Sequence, residues 1–229
     1  MSIHRAPGLD PTPAPDELTA RMVGVGFLLS AAAEPDADIE TTLVHASSAG
    51  MDDNDLRVLA ILTTWLGVHS ARVNTERLAR AVAEHSSPRV RAYWSAVCTW
   101  LGDDKRFARI VAPIAGERID LLAVGTEFQV NRRGEDPRFE STCLRVPAGT
   151  LRDRAKDVLA PAVLAERHRG YRNRIQMGAT WRADIWTALE AEPGMPVAEC
   201  ARRVRCSFAA AWKAAQDFLL LEEARRTAS

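Results

Sequence analysis

The sequence predicts a mainly α-helical fold in two parts, on three observations. Capping residues stand before one apolar segment after another in the first hundred residues. The tetrapeptide Thr64-Trp65-Leu66-Gly67 returns as Thr99-Trp100-Leu101-Gly102. The stretch from Trp181 to Leu221 parses as three short helices separated by two tight breaks.

Taken in order, residues 1–15 contain four prolines and no apolar period, which predicts a flexible arm. Asp16 is placed to cap a helix to Ala33, Asp36 or Asp38 another to Ala49, and Asp52 or Asp53 a third through Leu66. In each case the carboxylate accepts from an otherwise unpaired amide of the first turn. Gly67 is the expected stop of the third helix. Asn74 or Thr75 caps a helix to His85, and Ser87-Pro88 opens one through Leu101 that Gly102 ends. Each copy of the repeat closes an apolar helix with a tryptophan before a glycine. That pattern predicts a duplicated hairpin with equivalent indole packing. Residues 16–148 are therefore expected to form an N-terminal helical bundle or two-unit helical-repeat domain, serving dimerisation or the binding of a protein partner.

Between 116 and 150 the pattern is weakest. Ile119 to Val124 fits helix or strand, Asn131 to Pro137 a polar loop, and Thr142 to Val146 a short strand. The domain connection is placed at Pro147 to Thr150, ahead of one long basic helix from Leu151 to Met177, so that 149–229 form the second domain.

Charge divides the same way. The whole chain is balanced, with 30 basic and 30 acidic side chains, but residues 151–229 hold 14 Lys and Arg against 10 Asp and Glu. A net of about −4 in the first part and +4 in the second places the cations where a polyanion would bind. The densest run is Arg167, Arg169, Arg172 and Arg174, with Tyr171 among them. Spread over a broad helix face, these cations are candidates for phosphate contacts; the alternative is a solvated helix whose arginines pair with Glu166 or with acidic groups of the first domain.

Within the last stretch, Pro196 opens the middle helix and places Val197, Cys200, Ala201 and Val204 on one face. A turn follows at Arg205 and Cys206, and Ser207 starts the next helix. This is the outline of a helix-turn-helix. Through the segment VAECARRVRCSFAAAWK, about 40 residues of the chain resemble the helix-turn-helix and winged-helix transcriptional regulators of bacteria.

The resemblance implies that Ala201 sits where the middle helix crosses the third, and that Ala211 and Ala214 supply small contacts from the third. Arg205 stands where that family commonly has a glycine, and Phe208 where a small residue or proline is usual. Only eight residues follow Leu221, so a reduced or absent wing is expected. By the same resemblance Ser207, Phe208, Ala209, Trp212, Lys213 and Gln216 face the major groove, with Gln216 suited to adenine and Lys213 to guanine or phosphate. Arg202, Arg203 and Arg205 flank the turn as phosphate contacts. The residues leave Trp212 open to either role, groove or core.

Catalytic and cofactor motifs are missing. Gly24-Val25-Gly26 lacks the preceding strand and third glycine of a dinucleotide loop. Asp52, Asp53 and Asp55 read as a helix start rather than a calcium loop. The five histidines and four cysteines show no metal-ligand spacing, and the thiols are expected free and mostly buried. No enzyme activity, cofactor or metal is expected. The apolar run from Met22 to Ala33 is too short to span a membrane, and a cytoplasmic protein is expected.

These readings converge on a homodimeric, sequence-specific regulator that binds double-stranded DNA, typically a repressor. An antitoxin- or defence-associated role fits the same architecture. The alternative is an all-helical protein–protein adaptor that does not bind DNA.

Overall fold

Eleven α-helices and one two-stranded parallel sheet make up the main regular structure of the described residues. The computed structural model describes residues 11–102, 104–111 and 117–227, so most of the expected arm at 1–15 lies outside the described residues.

Helix α1 (Pro15–Gly24) starts on a proline, whose missing amide costs nothing at a helix start. It ends nine residues before Ala33, the end expected from the sequence. Gly24 packs on the Glu34 carbonyl, where a Cβ would come within 2.1 Å of the oxygen, and Gly26 turns the chain at φ +101°. A close backbone approach and a positive φ thus split the apolar run that reads as one helix. Phe27 then forms an antiparallel bridge with Val158.

Helix α2 (Ile39–Met51) is capped by Asp38, whose Oδ1 accepts from the Thr41 amide at 2.9 Å. It is buried along nearly its whole length and is the central helix of the first core. Helix α3 (Leu56–His69) is capped by Asp55, not by Asp52 or Asp53, and runs through Gly67 to His69. Gly67 therefore does not stop it. Helices α4 (Thr75–Glu84) and α5 (Pro88–Trp100) begin on Asn74 and Ser87, each side-chain oxygen accepting from an amide of the first turn.

The two tryptophans of the repeat are not equivalent. Trp65 is fully buried and donates from Nε1 to the Val25 carbonyl at 2.8 Å. Trp100 is half-buried beside Phe139 and beneath the Arg138 guanidinium. A shared tetrapeptide does not impose shared packing when the neighbours differ.

Strand β1 (Ile119–Asp120) pairs with β2 (Leu144–Arg145) in parallel register, with α6 (Thr126–Arg133) between them in sequence. The single helix expected from Leu151 to Met177 is instead divided. Pro161 opens α7 (Pro161–Arg167), His168 is extended at φ −125°, and α8 (Arg169–Met177) starts anew with His168 Nδ1 accepting from the Tyr171 amide at 3.0 Å. Proline in the middle of the span removes a helix donor and sets a new start.

Leu151, Val158, Leu164 and Tyr171 belong to the first apolar core, whereas a second core runs from Ile185 to Ala215. The apolar division falls after α8, later than Pro147 to Thr150, because the segment carrying the basic run packs on the first body. No helix of the described residues is long and apolar enough to cross a membrane.

Candidate nucleic-acid interface

The second core is enclosed by α9 (Trp181–Ala191), α10 (Val197–Val204) and α11 (Phe208–Thr227). Cys200, Ala201 and Val204 are the buried positions of α10, one face of a short amphipathic helix, and they meet Ala211, Ala214 and Ala215 of α11. The alanines let the backbones approach closely, while Trp186 fills the centre and donates from Nε1 to the Ala214 carbonyl at 3.1 Å.

The turn between α10 and α11 has Arg205 in the left-handed region at φ +61°, with the Arg205 and Cys206 amides donating to the Arg202 and Ala201 carbonyls at 3.1 and 3.0 Å. A tight helix C-terminus requires this conformation whether or not glycine occupies it. Ser207 Oγ then accepts from the Ala210 amide at 3.2 Å and starts α11. No strand follows β2 among the described residues, and α11 continues as helix to Thr227 where a wing would lie.

Ser207, Phe208, Ala209, Trp212, Lys213 and Gln216 are all exposed: Ala209, Lys213 and Gln216 lie opposite Ala211, Ala214 and Ala215, Trp212 at the edge of that face, and Ser207 and Phe208 at the start of the helix. Trp212 is 52% exposed and Phe208 57%, so the indole left open by the sequence is not core. Arg202 and Arg203 are exposed at the end of α10, paired with Glu199 and Glu192. Arg205 is half-buried, and its carbonyl accepts from Arg80 Nη1 of α4 at 2.8 Å.

The basic run is dispersed. Arg167 and Arg172 are exposed, and Arg169 is half-buried, with its amide donating to Asp36 at 2.6 Å. Arg174 is 2% exposed and is not available to phosphate. Its Nη1 and Nη2 donate to the two oxygens of Glu40 at 2.7 and 2.9 Å, and its Nε and Nη2 to Asp184 Oδ1 at 2.9 and 2.7 Å. Nη1 also reaches the Arg72 carbonyl at 3.0 Å, which satisfies all five donors. Burial works against the guanidinium charge, but Asp184 and Glu40 outweigh it and raise the Arg174 pKa.

Asn74 completes the cluster, donating from Nδ2 to Asp184 Oδ2 and from its amide to Glu40 Oε1, both at 2.8 Å. Arg77 pairs with Asp38 and lies 3.4 Å from Asp184. Burial raises the Asp38 pKa, yet Arg77 and the Thr41 amide overcome it and hold the carboxyl well below the usual range. Nearby, the Arg80 guanidinium lies 5.1 Å over the Trp181 ring, and Trp181 Nε1 donates to Glu76 at 2.6 Å. These contacts join the α9–α11 unit to the first body. Glu40 and Arg174 are 134 residues apart, beyond any spacing pattern, which is why the sequence left Arg174 between a phosphate contact and a pairing with acidic groups of the first domain and did not single out Glu40, Asn74, Arg77 or Asp184.

Comparison with known protein families, curated proteins and solved structures finds no match for the chain.

Proposed function

We propose that the chain is a sequence-specific, double-stranded-DNA-binding transcriptional regulator that acts as a homodimer, with α11 as the helix that enters the major groove. The observation that carries this reading is the exposure of Ser207, Phe208, Ala209, Trp212, Lys213 and Gln216 along the first turns of a helix that follows a tight turn. Lys213 and Gln216 supply the donors and acceptor that read base edges, and Phe208 and Trp212 supply apolar contact to thymine methyls and sugars. Arg202, Arg203 and Arg205 flank the turn where α10 would cross a phosphate strand, and Arg167, Arg169 and Arg172 add positive charge. A repressor, or an antitoxin- or defence-associated regulator, matches this division between a partner-binding body and a DNA-reading unit.

The test is binding of the full chain to duplex DNA from upstream of its own gene at several salt concentrations. Replacing Arg202 and Arg203 by glutamine is expected to flatten the slope of log affinity against log salt by roughly 0.9 per lost phosphate contact. An unchanged slope removes α10 from the interface, and absence of binding at about 50 mM salt overturns the reading.

A second reading is favoured by one observation. Leu219, Leu220 and Leu221 extend the exposed apolar residues of α11 beyond Trp212, as in a helix that docks on protein. Absence of DNA binding together with a protein complex lost on Leu219→Asp would establish the adaptor instead.

A further inference from the structure

Away from the α9–α11 unit, a cavity of about 350 Å³ opens between the start of α3, the end of α6 and the loop at 149–154. Four arginines line it, Arg57, Arg133, Arg152 and Arg154, and no Asp or Glu is among its lining residues. Among the described residues Arg57, Arg133 and Arg152 form no ion pair, and Arg154 reaches only Asp157, at 3.5 Å. Arg57, Arg133 and Arg152 are exposed around one concavity, and Arg57 stands in the first turn of α3, where the helix dipole disfavours a cation. An anion seated there meets positive charge from α3, from α6 and from the loop at 149–154.

Two buried atoms sharpen the chemistry. Arg154 Nε and Gln129 Oε1 have no hydrogen-bond partner, although each belongs to a residue that lines the cavity. An unmet buried donor and an unmet buried acceptor each cost on the order of 1–3 kcal/mol; both atoms lie beneath the cavity wall, and a turn of the two side chains towards a ligand carrying an anionic oxygen and a hydroxyl or amino donor relieves both. Arg152 Nε is held by the Gly149 carbonyl at 3.0 Å, and the Arg154 amide donates to Thr64 Oγ1 at 2.9 Å, so the loop that carries them is anchored. The volume exceeds that of a phosphate ion, and Leu56 and Leu122 supply an apolar wall for an organic part.

We propose that this cavity is a binding site for a small phosphorylated metabolite: the arginines fork onto the phosphate oxygens, and Gln129 Oε1 accepts from a hydroxyl or amino group of the ligand. The site stands apart from the DNA reading, since none of its lining residues lies in α9, α10 or α11.

The phosphate could also come from a DNA backbone, and the experiment separates the two sources. The full chain is titrated calorimetrically with inorganic phosphate, sulfate and glycerol phosphate near pH 7 at constant ionic strength. One-to-one binding of phosphate and glycerol phosphate is expected, weakened at least tenfold in Arg57→Gln/Arg133→Gln. Hydrogen phosphate carries an O–H that sulfate lacks, so Gln129→Leu is expected to abolish the preference for phosphate over sulfate. Thermal melting checks that the variants are folded; should the double variant melt early, Arg133→Gln alone, exposed at the end of α6, makes the same comparison. No binding by the wild type, or equal binding by wild type and variant, overturns the proposal. So does a salt slope on duplex DNA that falls by about two in the double variant, which would assign these arginines to a nucleic-acid backbone.

Discussion

Arg174 and Asp184 share a buried fork in which Nε and Nη2 of the guanidinium both donate to one carboxylate oxygen, at 2.9 and 2.7 Å. Asp184 belongs to α9 and Arg174 to α8, and the other side of the same guanidinium holds Glu40 of α2. One side chain therefore ties the α9–α11 unit to the first body.

Arg174→Met is expected to destabilise the protein by about 3–5 kcal/mol, because Glu40 and Asp184 then share a single buried cation, Arg77, at 3.8 and 3.4 Å. Adding Glu40→Gln to that variant restores part of the loss, since one of the two under-compensated charges is removed. Urea unfolding of the single and double variants measures both effects. A loss below about 1 kcal/mol would mean that water replaces the pair.

Stability is expected to fall on acidification from about pH 6.5 towards pH 4. His69 is buried, with Nε2 at 3.0 Å from the Leu159 carbonyl and Nδ1 at 2.7 Å from the Tyr171 hydroxyl. The carbonyl can only accept, so Nε2 carries the proton and Nδ1 accepts from Tyr171. Burial lowers the His69 pKa to about 4 despite the favourable Leu159 contact, and burial also lowers that of His168. Between the unfolded and folded pKa values the unfolded chain binds more protons, so stability rises with pH across that window. Denaturation midpoints from pH 4 to 7.5 check the sign, and His69→Gln should flatten the dependence.

Arg205→Gly is expected to raise stability by up to about 1 kcal/mol, because a residue with a Cβ is held at φ +61°. The main-chain contact from Arg80 is kept, since it uses the carbonyl. A lower melting temperature would show that the Arg205 side chain contributes more than its backbone strain costs.

Gly50→Ala is expected to destabilise by about 1–3 kcal/mol. A Cβ at Gly50 would lie 2.6 Å from Leu59 Cδ1 and 2.8 Å from its Cβ, so α2 and α3 would have to move apart. Thermal melts of Gly50→Ala and of the pair with Leu59→Ala test whether the contact is the cause, the pair recovering part of the loss if it is.

Gln216→Ala is expected to cost about 1–3 kcal/mol on a preferred DNA site and little on random DNA, since a base contact carries the sequence information. Arg203→Ala weakens both alike. Anisotropy titrations on both duplexes compare the two variants, each first shown folded by circular dichroism. Equal losses for Gln216→Ala on the two duplexes would place that residue off the base edges.

The elements legible in the sequence were those set by contacts a few residues apart. Asp38, Asn74 and Ser87 cap helices because a side-chain oxygen meets an amide two or three positions on, and the spacing of Cys200, Ala201, Val204, Ala211 and Ala214 determines which face of the last helices is buried. That spacing also puts Ala209, Lys213 and Gln216 on the opposite, exposed face, whereas the exposure of Trp212 was decided by the fold. Gly24, Gly67, Trp100 and Arg174 were decided by tertiary structure alone. Their roles depend on the Glu34 carbonyl, on helix packing, on Phe139 and Arg138, and on Glu40 and Asp184, and no local pattern records which distant group will arrive. A guanidinium in a basic run has the same sequence signature whether it meets water or a buried carboxylate; folding brings the carboxylate, and the cost of leaving either charge unpaired in the core holds them together.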